Sequence, residues 1–339
     1  MNNKIRIGIL GATGYTALEL IKLLLRHPQA EITALTSRQE GTPQIASVHP
    51  QLAGRISLPL EDLSPAQVAE RTDCVFSCLP HGASAAAVAV LVEKGIRVVD
   101  FSADYRLKDA KVFAHWYKQE HHDAARLATA VYGAPELNRA DIIPAQLVAN
   151  PGCYPTSVNL ALAPLLKAGL LEPTDIIADS KSGVSGAGRT AKLDFHYPEC
   201  NESFKAYGVG EHRHTPEIDQ TLSIASGQDV QVIFTPHLVP MDRGILSTTY
   251  SKPKREITQA KVLEVLHDFH AKHPFVRVSD RLPATKDVAH TNFCDITARV
   301  VRGRVLTISC LDNLIKGASG QALQNFNLMY ELPETMGLL

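Results

Sequence analysis

The stretch Asn150-Pro151-Gly152-Cys153-Tyr154-Pro155-Thr156 offers one thiol to chemistry. A β-type run, Gln146 to Ala149, leads in, and an apolar helical run, Val158 to Lys167, leads out. The Pro and Gly residues between them force a sharp turn. Cys153 is therefore expected at or just before a helix N-terminus, where unpaired backbone N–H groups point outward. That position favours a thiolate, and the same N–H groups could hold the oxygen of a tetrahedral adduct formed on sulfur. The alternative for an isolated cysteine is a buried structural thiol.

A second concentration of titratable groups is Gly210-Glu211-His212-Arg213-His214-Thr215-Pro216-Glu217-Ile218, just before a helix start. It reads either as a solvated polar turn or as the source of an imidazole base for the thiol. Arg213 would add an anion site. Histidines at i and i+2 with no Cys or Asp ligand cluster do not make a zinc pattern, so no metal is expected. The segment Asp100-Phe101-Ser102-Ala103-Asp104-Tyr105-Arg106 ends a strand, placing Arg106 either among a sheet's ligands or in solvent. Tyr132-Gly133-Ala134-Pro135-Glu136-Leu137 reads as an ordered loop.

Near the N-terminus, Gly8-Ile9-Leu10-Gly11-Ala12-Thr13-Gly14 joins a strand to a helix that starts at Tyr15. Glycines there let the backbone approach a pyrophosphate, and the helix N-terminus supplies donors. The second strand ends in Thr36-Ser37-Arg38, a hydroxyl and a guanidinium where an NAD site would carry a carboxylate. Ser37 and Arg38 suit a 2′-phosphate and favour NADP, although Glu40 is close by. Lys181 to Arg189 follows a strand and is Gly-rich, either a flexible surface loop or one that lets a flat ring or phosphate approach the backbone.

The elements that must position these groups fall into two sets. In the first third, strands at Ile5 to Leu10, Glu31 to Leu35, Cys74 to Cys78 and Arg97 to Phe101 alternate with helices at Tyr15 to Arg26 and Ala83 to Val92. That pattern predicts a parallel sheet covered on both faces. Beyond residue 150, β-type runs at Asp175 to Lys181, Val230 to Pro236, Ile245 to Ser251, Phe293 to Val301 and Val305 to Leu311 predict a largely antiparallel sheet with a helix, Thr258 to Ala271, inserted. The fold class is thus α/β, an N-terminal Rossmann domain followed by an α+β domain. A final helical run, Ser319 to Tyr330, has no sheet partner near it in sequence.

Composition sets the outer limits. With 34 basic against 35 acidic residues, nothing argues for nucleic acid or an anionic membrane. No run of 18 apolar residues exists, and Met1 to Ile7 lacks the apolar core and cleavage site of a signal peptide. A cytoplasmic location is the expectation. The six cysteines form no framework, and Cys74-x3-Cys78 matches no redox or zinc pattern, so both read as core residues.

Together these segments resemble the N-acetyl-γ-glutamyl-phosphate reductase family, in its longer form, related to aspartate-semialdehyde dehydrogenase. The likeness runs through GATGYTALEL (11–20), LTSR (35–38), DFSADYRL (100–107), YGAPELN (132–138), NPGCYPT (150–156), SGVSGAGR (182–189), GEHRHTPEI (210–218), HLVPMDRGI (237–245) and DNLIKGASGQALQN (312–325). NPGCYPT and HRHTPEI are its most specific parts. The resemblance implies an NADP(H)-binding domain over 1–149 and 313–339, to which the last helix returns, and a catalytic and oligomerisation domain over 150–312. It implies that Cys153 is the nucleophile and His212 the acid/base, acting near its ordinary pKa. Arg106, Ser182, Tyr207, His214 and Glu217 then meet substrate, and Gly11, Thr13, Gly14, Tyr15, Ser37, Arg38, Ser185, Gly186 and Asn313 meet cofactor. The implied substrate is a small acyl phosphate, reduced to an aldehyde with release of inorganic phosphate, in a homodimer or homotetramer. Two alternatives keep this chemistry on another substrate, aspartyl phosphate or an amino acid on a carrier protein. A rival of another class, an NADP-binding redox sensor, expects a resolving Cys and needs no imidazole.

Overall fold

The computed structural model describes residues 4–339; Met1 to Asn3, the start of the segment read as lacking a signal peptide, lie outside the described residues. The chain divides into two compact units, residues 1–151 with 318–339, and residues 152–317.

The first unit is built on strands β1 (Ile5–Leu10), β2 (Ala30–Leu35), β3 (Cys74–Ser77), β4 (Arg97–Asp100), β5 (Val131–Tyr132) and β6 (Leu147–Ala149). They form one parallel sheet in the order β2-β1-β3-β4-β6-β5. β3 and β4 are almost wholly buried, as the continuous apolar runs require of a sheet covered on both faces. On one side Leu10, Val75, Val98 and Leu147 pack with Val88 and Leu91 of the helix Ser84–Glu93 in a single apolar cluster. The closing helix, Gly320–Met329, belongs to this unit and is buried along its whole length against the helices Tyr15–Leu24 and Pro135–Ile142. Its polar residues are satisfied inside: Asn325 Nδ2 donates to the Gly133 carbonyl (2.8 Å) and to Asn150 Oδ1 (3.1 Å). The segment read as a loop, Tyr132 to Leu137, is instead the end of β5 and the start of a helix, because pairing of Val131 and Tyr132 with Val148 and Ala149 supplies strand partners invisible in sequence.

The second unit carries β7 (Ile176–Gly183), β8 (Lys205–Ala206), β9 (Val232–Val239), β10 (Ile245–Ser251), β11 (Val276–Val278), β12 (Cys294–Val301) and β13 (Arg304–Leu311). Their order is β11-β12-β13-β10-β7-β9-β8. The sheet is mostly antiparallel, with parallel pairs at β7/β9 and β11/β12. Residues 181–183 of the presumed Gly-rich loop extend β7 and Val184–Ala187 closes into a 3₁₀ turn, because Gly244 and Met241 carbonyls accept the Gly183 and Val184 N–H groups (both 2.9 Å). The helix Cys153–Lys167 lies over β10 and β13 and is buried from Tyr154 to Leu166. A row of hydroxyls locks it down: Ser157 Oγ and Ser180 Oγ each lie 2.7 Å from Ser247 Oγ. Alternate residues of β7, β9 and β10 face outward and leave an uncovered sheet face on which Ile233 and Tyr250 are exposed.

Among the described residues no helix is long and apolar enough to cross a membrane.

Candidate functional site

Cys153 is the first residue of its helix, and the helix begins earlier than the apolar run alone predicted. Gly152 is the N-cap, in extended conformation, with no side-chain cap on the turn. The opening N–H groups are thus directed at whatever binds beside the sulfur. Three contacts hold the cap. Glu217 Oε1, buried, accepts the Gly152 N–H at 2.7 Å. Thr156 returns its N–H (3.0 Å) and its hydroxyl (2.9 Å) to the Gly152 carbonyl. The His214 ring lies on the Gly152 Cα, so close that an added Cβ would come within 2.7 Å of Cδ2 and nearer still to Nε2.

Around the helix start stand two imidazoles and two phenols. Tyr154 is edge-on to His212 (5.6 Å between centroids) and to His214 (6.0 Å), and the two histidine rings are 4.9 Å apart. Tyr207 donates to Tyr154 Oη (3.3 Å), and Tyr154 donates to the His237 carbonyl (3.1 Å). Ser182 also bonds to the Tyr154 hydroxyl. Burial chiefly, with the charge of Cys153 as a smaller cause, pushes both phenols up, so they stay protonated.

His212 departs from the sequence expectation. Burial first, and the Arg213 guanidinium second, push its pKa down to about 4. Its Nδ1 accepts the His214 N–H at 3.1 Å, which leaves the ring hydrogen on Nε2. At neutral pH His212 is therefore a neutral hydrogen-bond donor, not an imidazolium poised near 6.5. In the Cys153→Ser protein, where no thiolate couples to it, the His212 ring followed by NMR should remain neutral and Nε2-protonated at pH 5.5, its fraction charged rising only towards pH 4. A midpoint near 6.5 would contradict this.

The sequence-predicted residues divide between the units. Cys153, Ser182, Tyr207, His212, His214 and Glu217 lie in the second, and Arg106 lies in the first. Arg106 is buried, with Nε on the Asn150 carbonyl (2.8 Å) and Nη2 on the Phe101 carbonyl (2.7 Å). Its loop is pinned by buried carboxylates: Asp100 accepts from Ser84 and Ser102 hydroxyls (both 2.6 Å), and Asp104 from the N–H groups of Gly82 (2.8 Å) and Ala85 (3.0 Å). Burial raises the Asp100 pKa to about 6.

The phosphate loop in the first unit fits a dinucleotide. Gly11 has φ +72°, and a Cβ there would lie 2.9 Å from the Cys78 carbonyl oxygen. Gly14 caps the helix Tyr15–Leu24 without a side-chain cap, leaving the approach past Thr13 and Tyr15 to the helix start open to an anion. Thr36 ties this loop to the end of β2 by accepting Gly11 N–H on Oγ1 (3.3 Å) and Ala12 N–H on its carbonyl (3.0 Å). Ser37 and the exposed Arg38 follow directly. No motif marks buried His49, whose Nε2 lies 3.1 Å from the Ala12 carbonyl. In the second unit Asn313 Nδ2 donates to Ser185 Oγ (3.0 Å), and Gly186 abuts Ser182, so these four form one group. Among the described residues no cluster of three or more His, Cys, Asp or Glu is arranged to hold a metal. Among the described residues no disulfide joins any of the six cysteines; Cys74 is buried in the core, whereas Cys78, just past β3, is half-buried.

Comparison with known proteins identifies the family. The semialdehyde dehydrogenase NAD binding domain matches residues 6–145, and the semialdehyde dehydrogenase dimerisation domain matches residues 153–313. An N-acetyl-gamma-glutamyl-phosphate reductase of Geotalea daltonii is 52% identical over 98% of each chain. One from Rhodopirellula baltica is 49% identical over 100% of this chain and 99% of its own. Among solved structures, aspartate semialdehyde dehydrogenase II of Vibrio cholerae, complexed with ASA, superimposes with a TM-score of 0.74 at 16% identity, covering 97% of this chain and 99% of that one. The Candida albicans aspartate semialdehyde dehydrogenase with NADP gives 0.71 at 15%, with the same coverage. At those identities the structures speak for the fold; the sequence relatives speak for the family, and the chain belongs to the N-acetyl-gamma-glutamyl-phosphate reductases.

Proposed function

We propose that this chain is an NADP-dependent reductase that converts N-acetyl-L-glutamyl 5-phosphate to N-acetyl-L-glutamate 5-semialdehyde and inorganic phosphate, a step of arginine biosynthesis. What carries the assignment is Cys153 at the start of a buried, uncapped helix whose next residue, Tyr154, packs edge-on to His212 and His214 and accepts from Tyr207, in a chain about half identical to reductases of that name.

In this mechanism Cys153 Sγ bonds to the acyl carbon, the carbon–oxygen bond to phosphate breaks, and phosphate leaves with its electron pair. The product is a thioester on Cys153. Bound NADPH supplies the hydride that reduces its carbonyl. The helix-start N–H groups hold the resulting oxyanion, and neutral His212 donates Nε2–H to the same oxygen. Collapse of the oxyanion breaks the carbon–sulfur bond, releasing the aldehyde and restoring the thiolate. Arg106, Ser182, Tyr207, His214 and Glu217 orient the substrate. Gly11, Thr13, Gly14 and Tyr15 hold the pyrophosphate, Ser37 and Arg38 the 2′-phosphate, and Ser185, Gly186 and Asn313 the nicotinamide half of NADP(H).

The enzyme works in the cytoplasm as a homodimer or homotetramer. The uncovered face of the second sheet, with Ile233 and Tyr250, is the surface a second copy covers, in keeping with the dimerisation domain matched there.

Substrate choice is tested by phosphate-dependent reduction of NADP with free semialdehydes compared side by side. N-acetylglutamate semialdehyde should exceed aspartate semialdehyde in kcat/KM by about 100-fold or more, a gap of at least 2.7 kcal/mol in transition-state binding. Equal or inverted preference would overturn the assignment.

A further inference from the structure

Besides the His214 ring, a second stretch of chain packs against the start of the Cys153 helix. The chain between Asp312 and Ser319 forms a π-helical turn, Ile315–Ser319, a rare form that concentrates at functional sites. Gly317 of this turn lies against Cys153: a Cβ on residue 317 would be 2.8 Å from Cys153 Cβ and 3.3 Å from its Cα. Only glycine permits that approach. The turn itself is tied to one buried carboxylate. Asp312 Oδ1 accepts the N–H groups of Leu314 (2.8 Å) and Ile315 (3.1 Å), and Oδ2 accepts that of His290 (2.7 Å) and faces Arg243 Nη1 (3.4 Å). The Asp312 carbonyl accepts the Gly317 N–H at 2.9 Å, a bond five residues long that leads the chain into the turn. Asn313 holds the neighbouring strand end by accepting the Gly244 N–H at 2.8 Å.

We infer that the Asp312–Gly317 turn is a rigid backstop for the nucleophile, with Gly317 and Asp312 as positioning residues that fix where the Cys153 sulfur stands. The inference rests on the assignment of Cys153 as nucleophile. Two close approaches bear on the start of this helix, the His214 ring on Gly152 and Gly317 on the Cys153 Cβ, and they leave its backbone little room to shift. A displacement of the sulfur on the order of 1 Å costs about 100-fold in turnover.

The test is Gly317→Ala in the full-length protein. Turnover should fall by about 100-fold with KM nearly unchanged, and the pH profile of Cys153 alkylation by iodoacetamide, followed by mass spectrometry, should shift because the sulfur leaves its place at the helix N-terminus. Asp312→Asn, which puts an N–H₂ where N–H groups now point, should move the same two readouts in the same direction. Wild-type turnover and an unmoved alkylation profile in Gly317→Ala would overturn the inference. Folding is controlled by the double variant Cys153→Gly/Gly317→Ala, in which the colliding Cβ is gone. The drop in Tm caused by Gly317→Ala should be much smaller in that background than in the wild type, and an equal drop would also refute the contact. Alkylation and Tm do not depend on turnover. An active Cys153→Ser enzyme would therefore remove the nucleophile assignment while leaving the contact itself to be judged by these measurements.

Discussion

Replacement of Cys153 by Ser should lower turnover by on the order of 10³-fold or more, with NADP(H) still bound at close to its wild-type affinity. The chain places residue 153 at the first position of a helix whose opening turn has no side-chain cap. Donors arranged in this way stabilise an anion in place, and a thiol ionises there far more readily than a hydroxyl does. Serine keeps the shape of the site but loses the nucleophile, so phosphate-dependent reduction of NADP by N-acetylglutamate semialdehyde should nearly vanish. The wild-type protein mixed with acyl phosphate in the absence of NADPH should carry a thioester on Cys153 by intact-mass spectrometry, and the serine variant should not. Substantial turnover in that variant would remove the covalent step from the mechanism and favour a non-acylated role for the thiol.

Gly152→Ala is the second large effect. The added methyl must share space with the His214 ring, which already lies on the Gly152 Cα. Either the ring swings away or the cap rotates, and the cap cannot rotate without breaking the 2.7 Å bond from its N–H to buried Glu217. Overpacking of this sort costs about 1–3 kcal/mol of stability. Displacement of His214 and of the Cys153 helix start should lower turnover by about 100-fold. Steady-state kinetics alongside denaturant unfolding will separate the two costs. Wild-type kcat in a folded Gly152→Ala protein would mean that His214 and the helix cap do not govern the nucleophile's placement.

Much of this site is legible without coordinates because its signals are local. The sharp turn from β6 into the helix at Cys153, the Gly-rich turn after β1, and Ser37-Arg38 at the end of β2 each depend on neighbours within a few residues, and backbone preference alone specifies them. Alternation of apolar strands and helices likewise specifies a parallel sheet, since both faces of such strands must be apolar. The same local logic failed at Ser182 and Gly183 and at Tyr132. Glycine content and short length argue for loops there, but strands supplied by residues 232–251 and 147–149 capture the backbone N–H groups.

What the amino-acid order determined by itself, then, is which residue is the thiol at a helix start, which turn can cradle a phosphate, and which family the pattern belongs to. The tertiary structure decided the states and seats of those groups. His212 is neutral because Phe234, Tyr154 and Tyr207 surround it and Arg213 adds like charge, a burial no motif encodes. Gly317, 164 positions along the chain from Cys153, touches it only because β13 runs back beside the helix that the cysteine begins. Desolvation and close packing act between residues far apart in the chain, so they become visible only once the chain has folded.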